Sequence, residues 1–161
     1  IPNSSKPQIT LLEDNSADLN NWIGTGWDVT FSDFYSTPSC ITESAFGDYS
    51  NNQDKRLTTK NKLDLTSAES ARISFWAKWD IENDYDYTQV LISIDNGASY
   101  IPLCGNYTNT GTSDQDEDNP LYDNIQNDWV NENIDILTEQ FNTWMGDKKQ
   151  IDDVLLIGIK F

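Results

Sequence analysis

Hydrophobic and polar residues alternate most regularly between Ala71 and Asp80, in the sequence ARISFWAKWD. Apolar residues recur at every second position and so share one side of an extended strand: Ile73, Phe75, Ala77 and Trp79. The opposite side carries polar residues, with Trp76 as the exception. This pattern predicts a half-buried β-strand that presents one tryptophan on its wetter face.

A second and a third strand follow, and a short turn connects them. Thr88–Ile94 is rich in β-branched residues, and Ser99–Leu103 is the next extended run. Asn96-Gly97 lies between them, and this dipeptide suits a type I′ turn because both central residues need a positive φ. We therefore predict an antiparallel hairpin here.

Short extended segments continue along the rest of the chain, separated by turn-forming residues. They are Gln8–Leu12, Gly26–Phe31, Pro38–Thr42, Arg56–Thr59, Lys62–Leu65, Asp128–Ile136 and Asp153–Phe161. Many short strands with little helix predict an all-β fold, an antiparallel β-sandwich. Residues 1–7 are expected to form a linker or arm, and residues 8–161 a single sandwich domain.

The composition narrows the functions that such a domain could have. The chain has 27 acidic and 10 basic residues, and its net charge of −17 disfavours binding to nucleic acid. It has no histidine, which excludes Ser-His-Asp and Cys-His catalysis and histidine-ligated zinc. Two carboxylates could form a glycosidase site, but with this many acids a suitable pair is expected by chance. Val154–Ile157 is the longest apolar run and is too short to span a membrane, so we expect neither catalysis nor membrane insertion.

Three acids alternate after the Ala71–Asp80 strand: Glu82, Asp84 and Asp86. In an extended loop their carboxylates would point the same way, and a cation such as Ca²⁺ would relieve their repulsion. Further oxygen donors that could converge there are Glu13, Asp14, Asn51, Asn52, Asp54 and the acidic loop 114–118. The alternative is that these acids are solvated, or that Asp86 caps a turn.

Aromatic residues are the other candidate for binding, since the chain has six tryptophans and seven tyrosines. Such residues usually pack in a core, but exposed ones can stack on sugar rings. Trp76 lies on the polar side of its strand, and Trp144 precedes Met145-Gly146 in a predicted loop. We predict these two as ligand-binding residues, with burial under a second sheet or a loop as the alternative.

The two cysteines, Cys40 and Cys104, are too few for a four-cysteine metal site. They could form one disulfide, which we take as the prediction, or remain two buried thiols.

Several segments together resemble one known family. They are Cys40–Asn52, Leu63–Tyr100, Pro102–Ile136 and the closing hydrophobic strand. Their order and spacing, over residues 10–161, resemble the jelly-roll accessory domain that follows the catalytic domain of secreted bacterial zinc carboxypeptidases. Similar domains occur in immune-inhibitor-A-like metalloproteases and cleaved-adhesin proteins.

The resemblance implies a secreted, non-catalytic jelly roll, stabilised by calcium and joined to an upstream peptidase domain in the same chain. The acids that match the family's pattern are Glu82, Asp86 and Glu132. Family members continue past the last strand, whereas this sequence stops at Phe161. Either the domain is truncated here, or Asp152-Asp153 and the last strand serve differently.

Three functions follow as expectations. The first is an accessory domain of a secreted metallopeptidase, which acts in stability, targeting or engagement of a substrate or surface. The second is a carbohydrate-binding module that uses exposed aromatic residues. The third is an adhesion domain that binds a host or matrix protein.

Overall fold

The computed structural model describes residues 7–48, 53–66, 68–137 and 155–158. Within these ranges every regular element is a β-strand, and all strand pairings are antiparallel, which confirms the all-β prediction. The strands are β1 (Trp22–Gly24), β2 (Asp28–Thr30), β3 (Cys40–Thr42), β4 (Leu57–Thr59), β5 (Ser70–Asp80), β6 (Val90–Ser93), β7 (Ile101–Pro102), β8 (Asn109–Thr110), β9 (Pro120–Leu121), β10 (Ile125–Leu137) and β11 (Leu155–Gly158).

The strands form four separate sheets. The largest has five strands in the order β1-β4-β11-β6-β7. The other three are two-stranded and pair β10 with β5, β2 with β3, and β8 with β9. Strands that are distant in sequence, such as β4 and β11, are neighbours in the large sheet, so the sheet forms only when distant parts of the chain pair.

The β5–β10 ribbon is the longest paired unit among the described residues. Exposure along β5 alternates residue by residue, as its sequence pattern predicts. Between the pairs Gln126–Trp79 and Val130–Ala77 the register shifts, so that residues 127–129 lie opposite Lys78 alone. This β-bulge changes the direction in which the side chains of β10 project.

One hydrophobic core contains side chains of this ribbon and of β6 in the large sheet. Its buried members are Val90, Ile92, Leu103, Tyr122, Ile134 and Ile136, and the partly buried side chains packed on them include Ile73, Phe75 and Trp79. The apolar side of β5 therefore faces the core, which confirms the orientation predicted from its alternation. Full burial of each aliphatic side chain contributes about 1.5–3 kcal/mol relative to exposure.

The β6–β7 connection is the predicted Asn-Gly turn. Asn96 and Gly97 have φ values of 62° and 82°, and the N–H of Ala98 donates to the carbonyl of Asp95 at 3.4 Å. The Asp95 carboxylate accepts hydrogen bonds from the backbone N–H of Ser99 at 2.8 Å and from its hydroxyl at 2.5 Å. The positive φ angles and the four-residue closure confirm the type I′ geometry.

Acid is expected to weaken this turn through Asp95. Its hydrogen bonds, first of all from the Ser99 hydroxyl, lower the pKa of the Asp95 carboxyl from the ordinary 3.8 to about 2. Because the folded pKa is depressed, the stability that Asp95 contributes is present above pH 3.8 and is lost as the pH falls through about 2. In melting experiments from pH 5 to pH 2, Asp95→Asn should flatten the acid-side fall in Tm, whereas Asp128→Asn, which alters an exposed carboxylate, should not. An NMR titration that gives Asp95 an ordinary pKa would contradict this prediction.

Some elements differ from the sequence-based prediction. Gln8–Leu12 is not a strand and is largely exposed, and Lys62–Leu65 is not a named strand either. Conversely, β1, β8 and β9 lie in segments predicted to be connections, since each has only two or three residues and is too short to show a periodic pattern. No helix among the described residues is long and apolar enough to cross a membrane.

Candidate functional site

Three aromatic side chains form a cluster on the outer face of the β5–β10 ribbon, and we refer to Tyr35, Trp76 and Trp129 as the aromatic cluster. The rings of Tyr35 and Trp76 are stacked, with centroids 3.6 Å apart and planes within 9° of parallel. The Trp129 ring is tilted by 57° from Tyr35, at 6.4 Å. Tyr35 is 50% exposed and Trp76 is 42% exposed, so the cluster is accessible to solvent.

Trp76 and Trp129 are positioned by local features of their strands, whereas Tyr35 is positioned by the tertiary fold. Trp76 projects outward because it is out of phase with the apolar positions of β5. Trp129 lies in the bulge of β10, opposite Lys78, and the Lys78 Nζ is 5.7 Å from the centroid of its ring. Tyr35 lies in the connection between β2 and β3. This connection is distant from β5 and β10 in sequence, and the fold places it against them.

The β2–β3 connection is held on both sides of Tyr35. On one side Asp33 forms a salt bridge with Lys78 and accepts a hydrogen bond from Trp129 Nε1 at 3.4 Å. On the other side the buried Ser39 hydroxyl donates to the Ser16 carbonyl at 2.8 Å. These contacts fix the loop relative to the ribbon, so Tyr35 is positioned by more than its own stacking.

The charges beside the aromatic cluster are paired. The hydrogen bond with the Lys78 ammonium, assisted by its charge, holds the pKa of the Asp33 carboxyl below its ordinary value. Asp33 is therefore ionised at neutral pH, and it neutralises Lys78. The surface offers aromatic faces next to a neutral pair of hydrogen-bonding groups, an arrangement that suits a ligand with both apolar faces and hydroxyl groups.

The predicted ligand-binding residues are only partly within this cluster. Trp76 lies in it, as an exposed residue, while Trp144 lies outside the described residues. Tyr35, Trp129, Asp33 and Lys78 were not predicted. The position of Trp129 on the wetter face of its strand was a usable signal, but nothing in the local sequence indicates that Tyr35 reaches Trp76.

The predicted acidic corner does bring two distant segments together. The Gln115 amide donates to the Asp86 carbonyl at 3.0 Å and to the Asp123 carboxylate at 3.3 Å. The Thr112 hydroxyl donates to the Asp84 carbonyl at 3.2 Å. The acidic loop between β8 and β9 thus packs on the Glu82–Asp86 turn through amide and hydroxyl donors.

The remaining metal candidates have contacts of their own. Asp14 accepts hydrogen bonds from Asn21 Nδ2 at 2.8 Å and Trp22 Nε1 at 3.0 Å, and Asp54 pairs with Arg56. Glu13 is exposed. Asn51 and Asn52 lie outside the described residues. Among the residues that the structure describes, no group of three or more Asp, Glu or Cys side chains is placed to hold a metal ion.

The calcium site therefore stays a prediction from the sequence, and thermal melting tests it. Added Ca²⁺ is predicted to raise the Tm of the chain and EDTA to lower it, because a ligand that binds only the native state stabilises it by mass action. Mg²⁺ at the same concentration controls for screening of the acidic surface. Superimposable curves in Ca²⁺ and EDTA would reject the site.

The structure places Cys40 and Cys104 as two free thiols, and the disulfide stays a prediction from the sequence. Cys40 Sγ lies 3.1 Å from the Asp33 carbonyl, and burial raises the pKa of its thiol. Cys104 is exposed and lies 3.6 Å from the Thr108 hydroxyl. Each thiol contacts a different loop, and only Cys40 is partly buried.

Glu132 is the most deeply buried carboxylate among the described residues, with 0% exposure. Its two oxygens accept hydrogen bonds from the backbone N–H groups of Asn106 and Asn133 at 2.7 Å, from that of Tyr107 at 3.0 Å, and from the Tyr122 hydroxyl at 3.0 Å. Burial, followed by the charge of Glu132, raises the pKa of the Tyr122 hydroxyl, which stays protonated and donates. These hydrogen bonds hold the loop after Leu103 against β10. Glu132, one of the acids to which the resemblance pointed, therefore has a structural role.

No family model, curated protein or solved structure matches this chain. A proposal for its function therefore rests on the contacts described above.

Proposed function

We propose that this chain is a non-catalytic β-sandwich module of a secreted protein and that it binds carbohydrate through the aromatic cluster. The observation that carries this proposal is the solvent-accessible stack of Tyr35 on Trp76, beside Trp129 and the Asp33–Lys78 pair. A pyranose ring has an apolar face of C–H groups and an edge of hydroxyls. Exposed aromatic faces next to hydrogen-bonding groups match both features.

Other ligand classes fit this surface less well. A net charge of −17 repels nucleic acid and other polyanions. Glycoside hydrolysis needs two carboxyl groups on either side of the scissile bond. The carboxylate that contacts the aromatic cluster in the described part of the chain is that of Asp33, through Trp129, and Lys78 holds it in an ion pair. Binding without catalysis is therefore the function that these residues support best.

The resemblance to carboxypeptidase accessory domains supplies the wider context of this proposal. In that context the chain follows a zinc carboxypeptidase domain and holds the enzyme on a glycan-bearing surface outside the cell. The jelly-roll arrangement belongs to the same proposal. It is supported by the β5–β10 ribbon, whose inner face shares one core with the sheet that contains β6.

Binding to a glycan array tests the function. Wild-type protein should bind at least one class of glycan, and Trp76→Ala should weaken that binding about tenfold or more, since truncation of a central aromatic residue costs about 2 kcal/mol. Tyr85→Ala is the matched control, because Tyr85 is an aromatic residue with 62% exposure in the turn after β5. A wild-type array without signal, or equal loss in both variants, would refute the proposal.

A further inference from the structure

We infer that the outer face of Tyr35, rather than Trp76, is the surface on which the sugar stacks, and that the site takes a single neutral pyranose unit of a soluble glycan. This inference rests on the proposed function and specifies its contact residue and ligand class. It changes the prediction from the sequence, in which Trp76 itself contacts the ligand.

The first step concerns which ring face is open. The near-parallel stack at 3.6 Å covers one face of Tyr35 and one face of Trp76, so neither of those faces can receive a ligand. Tyr35 nevertheless remains 50% exposed. The ring surfaces of Tyr35 that the stack leaves uncovered are the opposite face and the hydroxyl edge, and an incoming sugar ring can meet them there.

The second step concerns rigidity. Trp76 supports Tyr35 from below, and Trp129 lies beside it at 6.4 Å. Asp33, two residues earlier, is tied to the ribbon through Lys78 and Trp129. A ring that is held in place before the ligand arrives loses little conformational entropy on binding, so Tyr35 is preorganised as a contact surface.

The third step concerns the size of the ligand. A flat, insoluble polysaccharide requires several aromatic rings side by side in one plane. Here two rings are stacked one on the other, and the third is tilted by 57°. The open surface is thus one ring wide, which fits one sugar unit of a soluble chain and not an extended polymer face.

The last step concerns charge. Lys78 is committed to Asp33 and to the face of Trp129, so no unpaired cation of the cluster is offered to a carboxylate on the ligand. The net charge of −17 adds long-range repulsion of any anionic sugar. Neutral sugars are therefore favoured over uronates and sulfated glycans.

Titration calorimetry with short soluble oligosaccharides tests the inference. The probes are neutral oligomers of glucose, mannose, xylose and N-acetylglucosamine, a galacturonate oligomer, and microcrystalline cellulose in a pull-down. Tyr35→Leu should weaken binding of the neutral oligomer about tenfold or more, because it removes the aromatic face, whereas Tyr35→Phe should stay within about threefold of wild type. Tyr85→Leu is the control, and near-ultraviolet circular dichroism confirms that each variant is folded.

The possible results separate the two proposals. If the wild-type protein binds none of the glycans, the proposed function fails, and this inference fails with it. If Trp76→Ala abolishes binding while Tyr35→Leu binds equally or more tightly, the function stands, but Trp76 is the contact and Tyr35 merely covers it. Binding to galacturonate or to cellulose as tight as to neutral oligomers would overturn the assigned ligand class.

Discussion

Replacement of Glu132 by alanine is expected to lower the free energy of unfolding by about 2–5 kcal/mol, which is a large part of the stability of a domain of this size. The carboxylate is fully buried and accepts four hydrogen bonds. Alanine leaves three partly buried backbone N–H groups and the buried Tyr122 hydroxyl without their acceptor. A fully buried donor left unsatisfied costs about 1–3 kcal/mol, and a partly buried one costs less. The substitution also leaves a cavity beside Gly105, where an added Cβ atom would lie 2.7 Å from the Glu132 carboxylate.

Urea denaturation monitored by tryptophan fluorescence measures this loss. Glu132→Gln should fall between the wild type and Glu132→Ala, because the amide keeps the size of the side chain but has only one acceptor oxygen. Glu117→Ala, which removes an exposed carboxylate, serves as the control and should change stability by less than about 0.5 kcal/mol. A loss below about 1 kcal/mol in Glu132→Ala would show that the loop after Leu103 does not depend on this carboxylate.

Gly111→Ala is expected to lower the free energy of unfolding by about 1–3 kcal/mol, for a steric reason. A Cβ atom at this position would lie 2.1 Å from the Asp116 carbonyl oxygen and 2.8 Å from a methyl group of Leu121. The nearest atom belongs to the backbone of the same loop and cannot move aside as a flexible side chain would. The loop must shift, and its packing on the Glu82–Asp86 turn through Gln115 should weaken with it.

Amide hydrogen exchange distinguishes this local effect from a general loss of stability. In Gly111→Ala the amides of the acidic loop should exchange faster, while those of β6 keep most of their protection. Ser113→Ala, an exposed position in the same loop, is the matched control and should resemble the wild type. Equal acceleration in the loop and in β6 would show that the two regions open as one unit.

Local patterns in the sequence were sufficient to predict strands that have one apolar face and one polar face. The alternation in β5 predicted which side faces the core and that Trp76 lies on the other side, and Asn96-Gly97 predicted its own turn, because both features depend on near neighbours. The strand predicted at Gln8–Leu12 is wrong, since its alternation was not accompanied by a partner strand or a core to cover it.

Most of the candidate site could not be read from local pattern. Tyr35 contacts Trp76 across 41 positions of sequence (76 − 35), and only the folded chain brings the β2–β3 connection onto the ribbon. The same holds for the acidic loop, which was predicted to meet the Glu82–Asp86 turn, although Gln115 and Thr112, which form hydrogen bonds to that turn, were not predicted. Contacts between side chains that are far apart in sequence depend on the topology of the fold. The alternation of hydrophobic and polar residues does not reveal that topology.

The closure of the acidic loop has a consequence for its resistance to proteolysis. A protease binds its substrate as an extended strand, so a loop must open before it can be cut. Residues 111–119 are closed by backbone hydrogen bonds, from Gly111 N–H to the Asn119 carbonyl at 2.9 Å and from Asp118 N–H to the Gly111 carbonyl at 3.1 Å. In the sequence, this loop resembles a long polar segment that a protease can cut. Its resistance to cleavage is determined by the free energy needed to break these hydrogen bonds and open the loop.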